Sequence, residues 1–234
     1  NITNQRFDAQ VAVSQLGGKR TQPSEKDYEL LEHVAIYLYT TRKEERTYKK
    51  FLNSPELSEA HSDASFNTET RAKSRFSEVH SVLGNIVMTK SHSKACSTPT
   101  SSNASEVVAL SNTCKNSIHI RRTASWLMNF FDPNYPSINT PIPVATDNAG
   151  ALKTSEPFYK ISAMMKHMEP KYFLMREYQI KGLIKVYKVK GGSSDEQKAD
   201  FLTKHFGMTH FKRKKKQLGI YDPNLLAADT KHTT

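Results

Sequence analysis

The sequence predicts an α/β fold in which helices cover a mixed β-sheet. Strand-like segments cluster in the first half of the chain, and strand and helix alternate behind them. The length of 234 residues suits one full domain or two small ones, which is enough chain to bury a real core. Together these observations predict a mixed sheet covered by helices, in a chain long enough for one main domain.

Composition and charge exclude several other classes of protein. No stretch approaches the run of about 18 apolar residues that a membrane helix needs, so we expect no membrane partner. The two cysteines cannot build a disulfide framework, which favours a reducing compartment. A formal net charge of +11 indicates a polyanionic partner without specifying a fold or a reaction. The chain begins with Asn1 and has no targeting segment, so we expect a piece of a longer protein.

The first segment is predicted to be a small helical connection element, residues 1–58. Ser24 and Asp27 have the spacing of a helix cap, and apolar residues recur at intervals of three and four from Tyr28 to Leu38, which predicts a helix over 24–40. A break at Ser54-Pro55 is the candidate boundary. The main domain would then span 59–207, followed by a basic C-terminal tail over 208–234.

The front of the main domain is predicted to be a set of strands. Residues 60–66 form the first, and 76–83 and 85–89 pair across Gly84 as a hairpin. Residues 91–102, which contain Pro99, have the composition of an edge strand followed by a loop.

Helices and strands alternate in the rest of the domain. A helix starting near Asn103 would face the core with Val107, Leu110, Cys114 and Ile118. The later segments are predicted as a strand at 143–146, helices at 149–153, 162–181 (interrupted at Pro170) and 195–205, and a strand at 183–189.

Four carboxylates stand out on these predicted elements. Asp63 lies on the first strand of the main domain, Glu106 near the start of the first long helix, Asp147 at the carboxyl end of a later strand, and Asp200 on the last helix before the tail. Four converging acidic groups repel one another and are stable only around divalent cations, and hard oxygen ligands select magnesium or manganese. Two such ions about 4 Å apart can activate water and stabilise the leaving oxygen of a phosphodiester.

Each carboxylate also has a purely structural interpretation. Asp63 would begin a turn, and Asp147 would start a helix together with Asn148. Glu106 lies three residues after Asn103, the spacing of a capping box. Asp200 would be a solvated helix carboxylate. Periodicity alone does not decide between these roles and a shared metal site.

Ordered motifs along almost the whole chain supply further information. Their order and spacing resemble the ribonuclease H end of the Pol polyprotein of copia-type long-terminal-repeat retrotransposons, including part of the connection after the reverse transcriptase. The residues that carry the resemblance are 6–8, 11–16, 37–41, 62–65, 73–74, 90–91, 101–106, 147–151, 166–167, 176–177 and 196–204.

This resemblance implies a fold, a reaction and partners. The fold would be a ribonuclease H-like mixed sheet of five strands flanked by helices. Asp63, Glu106, Asp147 and Asp200 would hold two magnesium ions, with manganese as the alternative, and cleave the RNA strand of an RNA:DNA hybrid. An upstream reverse transcriptase domain of the same polyprotein would be a partner, and no small-molecule cofactor is expected. The location would be cytoplasmic, in a virus-like particle, with nuclear entry through the basic run.

Several basic residues are candidates for contacting nucleic acid. The run beginning at Lys212 can meet phosphates or serve as a nuclear-targeting address, while its structural interpretation is a solvated helix end. Lys190 would carry a positive charge in the loop ahead of Asp200. The full set of predicted nucleic-acid-binding residues is Lys166, Arg176, Lys190, Lys204, Lys212, Arg213 and Lys214.

Other constellations favour structural roles. His92 with Cys96 and Cys114 with His119 lack the paired spacing of a zinc site. Trp126, Phe130 and Phe131 are expected in the core rather than as a platform for stacking bases. Two alternatives to the nuclease stay open: a degenerate or domesticated nucleic-acid-binding module without turnover, and a structural subdomain whose four carboxylates lie more than roughly 10 Å apart, too far to share two ions.

Overall fold

The structure is a computed structural model that describes most of the chain. The described residues are 6–48, 57–69, 73–95, 101–134, 139–161, 163–166, 168, 170–192, 196–204 and 206–222. The predicted boundary at Ser54-Pro55 lies outside them. The division into segments 1–58, 59–207 and 208–234 therefore stays a prediction.

Helices and strands follow the predicted order for much of the chain. In chain order they are α1 (Gln10–Gly17), α2 (Glu25–Thr40), β1 (Glu45–Arg46), β2 (Ser58–Glu69), β3 (Lys73–Val82), β4 (Asn85–Ala95), α3 (Ser102–Phe131), β5 (Ile142–Thr146), α4 (Ala149–Ser155), α5 (Leu174–Ile180), β6 (Ile184–Lys188), α6 (Met208–Gln217) and β7 (Ile220–Tyr221).

A five-stranded sheet of order β4-β3-β2-β5-β6 forms the centre of the fold. The pairs β2–β3 and β3–β4 are antiparallel, whereas β2–β5 and β5–β6 are parallel. Helix α3 packs against β2 and β3, and α4 and α5 pack against the parallel side. The predicted mixed sheet of five strands flanked by helices is therefore confirmed.

The hairpin predicted around Gly84 is present. Strand β3 ends at Val82 and β4 begins at Asn85, so only Leu83 and Gly84 form the turn. Both have positive φ, 47° and 73°, which is the backbone that a two-residue turn requires to match the twist of its strands. The predicted edge strand is the end of β4, while Pro99 lies outside the described residues.

Helix α3 begins after Ser101, whose hydroxyl accepts a hydrogen bond from the Ala104 N–H at 3.2 Å. Its predicted core face is confirmed, because Val107, Leu110 and Cys114 are fully buried. These side chains join Ala60, Phe76 and Val144 of the sheet in the larger of two apolar clusters.

The second apolar cluster ties both ends of the described chain to the sheet. Phe7 is buried there with Val79 of β3, Phe201 and Ile220 of β7. Strand β7 also pairs antiparallel with β1, opposite Glu45 and Arg46. The connection element and the basic tail thus contact each other as well as the main sheet.

Helix α2 has the predicted cap. The Asp27 carboxylate accepts a hydrogen bond from the Ser24 N–H at 2.8 Å, and hydrogen bonds from Lys19 and Ser24 lower the pKa of Asp27 to about 2. The apolar positions of this helix are nevertheless poorly covered, since Tyr28 and Leu31 are 62% and 52% exposed.

The late helices differ from the sequence prediction. Instead of a long helix over 162–181, the described chain has 3-10 turns at Ala163–Met165 and Pro170–Phe173 and the short α5. Likewise, Asp200 lies on a 3-10 turn, Ala199–Leu202, rather than on a helix spanning 195–205. Proline lacks the backbone donor that a continuous helix would need at position 170, and Pro170 is instead the first residue of its 3-10 turn. Among the described residues, no helix is long and apolar enough to cross a membrane.

Candidate metal centre

Three of the four predicted carboxylates converge. Asp63, Asp147 and Asp200 each offer one oxygen, and these three oxygens lie within 4.8 Å of one another. Asp63 and Asp200 are almost fully buried, and Asp147 is partly exposed. The interpretation of the chain as a subdomain with widely separated carboxylates is thus excluded for these three residues.

Strand register explains why Asp63 and Asp147 meet. Strands β2 and β5 run parallel, with His61 opposite Ala145. Extending this register by two residues brings Asp63 alongside Asp147, which directly follows β5. Asp63 lies inside a strand, so the interpretation that it begins a turn is wrong. The dipeptide Asp147-Asn148 does precede helix α4, but Asn148 supplies the cap, since its side chain accepts from the Ala151 N–H at 2.8 Å, and the Asp147 carboxylate joins the cluster.

The third carboxylate is brought in by the turn at Ala199–Leu202. The Ser77 hydroxyl of β3 donates to the Ala199 carbonyl at 3.0 Å and fixes this turn against the sheet. The Gly192 N–H donates to one Asp200 carboxylate oxygen at 2.9 Å. Asp200 is fully buried, so its interpretation as a solvated helix carboxylate is also wrong.

Glu106 lies beside this group without joining the set of three oxygens. Burial, followed by the charges of Asp63 and Asp147, raises the pKa of Glu106 to about 9, and a hydrogen bond from the Ala64 backbone acts in the opposite direction. One of its oxygens, Oε2, is buried without a hydrogen-bond partner. A capping role for Glu106 is wrong, because Ser101 rather than Asn103 caps α3.

Burial and mutual repulsion make the ionised forms of Asp63 and Asp147 unfavourable. Burial raises the pKa of Asp63 to about 7, with a further contribution from the charge of Asp200. Burial also raises the pKa of Asp147. These shifts mean that the fold holds the acidic groups where their ionised forms lack water and sufficient compensating charge.

Thr203 and Lys204, which follow Asp200 in the chain, both contact the carboxylates directly. The Thr203 hydroxyl donates to the Asp63 carboxylate. The Lys204 ammonium is hydrogen-bonded to Asp200 and lies 4.0 Å from Asp147. Burial lowers the pKa of Lys204, but the charges of Asp63, Asp200 and Asp147 outweigh it and the net shift is upward. The structure thus places Lys204, predicted to bind nucleic acid, among the carboxylates.

A glycine pair closes the site on the other side. A Cβ atom on Gly191 would collide with the Asp147 carboxylate, and the next residue, Gly192, has a φ of +73° and donates to Asp200. The contributions of Thr203 and of this glycine pair were not predicted from the sequence. Two adjacent glycines ahead of an aspartate are the signal that marks such a close backbone approach.

The residues present fit a hard divalent cation. The cluster offers carboxylate oxygens, which magnesium and manganese prefer, and the unpartnered Glu106 Oε2 is a buried acceptor facing the same acidic neighbourhood. A buried acceptor without a donor is unfavourable unless a cation, a proton or water satisfies it. The cluster is therefore a candidate site for a divalent metal ion.

Comparison with known proteins gives a similarity in structure and none in sequence. No protein-family model matches the chain, and no curated protein matches it. A crystal structure of LC11-RNase H1 in complex with an RNA/DNA hybrid is similar to this chain, with a TM-score of 0.40 and 14% sequence identity. The similarity covers 62% of this chain and 92% of that chain.

Three of the other predicted nucleic-acid-binding residues lie outside the carboxylate cluster. Lys190 is exposed at the start of the glycine loop, where its backbone N–H donates to Glu196 at 3.0 Å. Lys166 is also exposed, beside an apolar cavity lined by Met165 and Phe173. Arg176 instead has a structural contact, since its Nε donates to the Thr154 carbonyl at 2.7 Å and joins α5 to α4.

The basic run divides into an outward and an inward part. Lys212 and Arg213 are exposed on α6, so their predicted contact with phosphates stays a prediction. Lys214 is only 1% exposed, and its ammonium donates to the Gln197 carbonyl at 3.3 Å. The prediction that Lys214 contacts nucleic acid is therefore wrong, because the helix buries this ammonium behind the turn that carries Asp200.

Proposed function

We propose that this protein is a metal-dependent endoribonuclease that hydrolyses the RNA strand of RNA:DNA hybrids. The observation that carries the proposal is the meeting of Asp63, Asp147 and Asp200 within 4.8 Å, with the buried carboxyl group of Glu106 beside them. Such a set of oxygen donors suits phosphodiester hydrolysis assisted by two magnesium or manganese ions.

The cations would be held by Asp63, Asp147, Asp200 and Glu106. When bound, they supply an activated water and stabilise the leaving oxygen. The chain positions its own groups to hold them, since the Thr203 hydroxyl orients the Asp63 carboxylate and the Gly192 N–H orients that of Asp200. Burial keeps bulk water from solvating these carboxylates and so strengthens their attraction for a cation.

A nucleic-acid substrate is supported by the charge of the chain. The formal net charge is +11, and Lys166, Lys190, Lys212 and Arg213 are all exposed. Binding through phosphates weakens steeply as the salt concentration rises. Discrimination of hybrid from duplex DNA would use the 2′-hydroxyl and the shape of the minor groove.

The biological setting is also part of the proposal. The order of motifs in the sequence supports a copia-type retrotransposon Pol polyprotein as the source, with an upstream reverse transcriptase domain as partner. A virus-like particle in the cytoplasm, with entry to the nucleus, is the location that this setting implies. These statements rest on the sequence motifs alone.

A panel of labelled substrates tests the proposal. With magnesium we expect the purified chain to cut an RNA strand annealed to DNA. The same RNA without its DNA partner, and a DNA duplex of the same sequence, should both stay intact. Chelation of the metal should stop cleavage, and raising the salt concentration should weaken hybrid binding steeply.

Two results would contradict the proposal. Salt-sensitive binding of the hybrid with no cleavage in magnesium or manganese would favour a nucleic-acid-binding module without turnover. Cleavage that persists after chelation would assign the activity to a different chemistry from that of the carboxylate cluster.

A further inference from the structure

The second half of helix α3 exposes a group of aromatic side chains. Trp126, Phe130 and Phe131 are 64%, 68% and 77% exposed, so the expectation that they belong to the core is wrong. The last buried residue of the helix is Ala124. At 1.5 Å per residue the 30-residue helix is about 45 Å long, and its final turns extend beyond the residues that pack against the sheet.

Basic residues continue the same face of the helix toward its middle. At about 100° per residue, Lys115, His119, Arg122, Trp126 and Phe130 fall within an arc of about 80°. All five are exposed. Buried side chains occupy the opposite side of the helix, namely Cys114, Ser117 and Ala124. We call the five exposed residues the outer face of α3.

None of the five residues of the outer face is acidic. Helix α3 contains no aspartate or glutamate after Glu106. Tyr28, an exposed aromatic residue of α2, has different surroundings, since it is flanked by Glu25, Glu29 and Glu32. Exposed aromatic rings combined with positive charge and no carboxylate therefore distinguish the outer face from the surroundings of Tyr28.

The rings on the outer face are arranged as a platform. Trp126 and Phe130 lie nearly parallel, with ring centroids 5.8 Å apart and an interplanar angle of 25°. Phe131 meets Phe130 edge to face at 5.3 Å. With more than 60% of each side chain exposed, the rings present aromatic surface to solvent.

We propose that the outer face of α3 binds single-stranded nucleic acid, with bases stacking on Trp126 and Phe130 and phosphates meeting Arg122, His119 and Lys115. Single-strand binding proteins combine these two elements, a positively charged track and aromatic rings on which any base can stack. From Lys115 to Phe130 the face is about 22 Å long, which accommodates several nucleotides.

Charge complementarity favours this occupant over a second copy of the chain. A symmetric dimer through the outer face would bring the same patch from both copies together. Lys115 and Arg122 of both copies would then share one interface, and α3 has no carboxylate after Glu106 to neutralise them. A polyanion meets the same residues with opposite charge.

The proposed surface is separate from the carboxylate cluster. Trp126 is 20 residues after Glu106 on one helix, or about 30 Å along its axis. Binding there needs neither metal ions nor hydrolysis, so it can be measured in the presence of a chelator, and its outcome is independent of the nuclease proposal.

Trp126 is itself the reporter for the experiment, because it is the single tryptophan of the chain. We expect titration with oligouridylate or oligodeoxythymidylate of about 12 nucleotides, in chelator, to quench its fluorescence in a saturable way. With a fluorophore-labelled oligonucleotide, Phe130→Ala and Trp126→Ala should each weaken binding by about 10-fold. Arg122→Gln should reduce the slope of log affinity against log salt by about 1.

Tyr28→Ala is the matched control, since Tyr28 is as exposed as Trp126 but lies among glutamates, and its removal should leave binding unchanged. The proposal is overturned if the oligonucleotides do not quench Trp126, or if Phe130→Ala and Tyr28→Ala bind equally well. It is also overturned if sedimentation shows a dimer that Trp126→Ala dissociates, because the outer face would then be an interface between copies.

Discussion

Lys204 places a positive charge among the carboxylates of the site. Its ammonium is hydrogen-bonded to Asp200 and lies 4.0 Å from Asp147, and both carboxylates belong to the group that we expect to hold metal ions. A lysine at this point partly neutralises the metal-free cluster and repels an incoming divalent cation. We therefore expect the charge of Lys204 to stabilise the empty site and to weaken metal binding.

Replacing Lys204 by methionine tests this role. Lys204→Met should bind Mn²⁺ several-fold more tightly than the natural protein in calorimetric titrations, while its metal-free form should melt at a lower temperature. Lys204→Arg keeps the charge and should behave like the natural protein. Equal manganese affinity in all three proteins would show that Lys204 does not compete for the site.

The raised pKa values of Asp63 and Glu106 predict how stability depends on pH. Unfolded aspartate and glutamate titrate near pH 4, whereas in the metal-free fold the pKa values are about 7 for Asp63 and about 9 for Glu106. The fold therefore binds more protons than the unfolded chain between these limits. The stabilisation that results is complete below about pH 4 and is lost as the pH rises through 7 and 9.

We accordingly expect the melting temperature of the metal-free protein to fall between about pH 5 and pH 9. Glu106→Gln, which cannot ionise, should fall less over the same range, and the difference between the two curves measures the contribution of Glu106. Saturating magnesium should reduce the fall, because the cation stabilises the ionised carboxylates. Identical curves for both proteins would contradict the assigned environment of Glu106.

At the scale of elements, the loop 190–192 brings its backbone directly against the carboxylates of Asp147 and Asp200. Gly191→Ala would place a methyl group against the Asp147 carboxylate. We expect weaker metal binding and slower hybrid cleavage with little change in melting temperature, because Gly191 lies at the surface of the site. The measurements are manganese titration and cleavage rate.

A glycine elsewhere supplies the control for that substitution. Gly182 has a φ of +64°, and no atom lies within 4 Å of the position that a Cβ would occupy there. Gly182→Ala therefore adds backbone strain without contacting the site. It should lower stability and leave metal binding unchanged. If Gly191→Ala binds manganese as well as Gly182→Ala does, the loop does not shape the site.

Local signals made several elements predictable from the sequence. The hairpin follows from Gly84 between two strand-like segments, and α3 follows from apolar residues at helical spacing. The segment 162–181 was predicted less well: its composition is helical, but the described residues form two 3-10 turns, one of them starting at Pro170, and the short α5, which Arg176 joins to α4. Tertiary contacts of this kind leave no periodic signal in the sequence.

The site was also predictable only where local sequence signals determine it. Asp63 lies on β2 and Asp147 directly follows β5, so the parallel pairing of these two strands determines their approach, and the sequence motifs include both residues. The burial of Lys214 and the exposure of Trp126 depend on where a helix lies relative to its neighbours. From the sequence alone, a run of lysines is expected to be solvated and a cluster of aromatic residues is expected to be buried. Here the neighbouring elements reverse both expectations, for Lys214 and for Trp126.

At the scale of the whole molecule, the two ends of the described chain pack together against the sheet. Phe7 is 1% exposed and packs with residues from β3, β7 and the turn that carries Asp200. The first described segment therefore supports the turn that completes the carboxylate cluster. Removing the Phe7 side chain from this core should therefore lower the stability of the whole fold and not only that of a peripheral helix.

Truncating Phe7 tests this connection. Phe7→Ala should lower the free energy of unfolding by about 3–5 kcal/mol, the usual cost of removing a buried aromatic side chain, as measured by urea denaturation. Tyr28→Ala removes an exposed ring and should change the free energy of unfolding by less than about 0.5 kcal/mol. A Phe7→Ala protein as stable as Tyr28→Ala would show that the first segment does not support the sheet.

The net charge of +11 is distributed unevenly over the fold. Asp63, Asp147 and Asp200 converge at one place, while Lys212 and Arg213 of α6 and the outer face of α3 carry exposed positive charge. This separation suits a protein that binds a polyanion by its surface and a cation at its acidic cluster.

Cleavage of the RNA:DNA hybrid by the natural protein and by Asp147→Asn tests the central claim most directly. Asp132→Asn, a change at an exposed carboxylate outside the cluster, is the control. With magnesium, we predict that the natural protein and Asp132→Asn cut the RNA strand, and that Asp147→Asn is slower by at least about 100-fold while remaining folded. Equal cleavage by all three proteins, or none by the natural protein, would contradict the assignment of the cluster as a metal-dependent nuclease site.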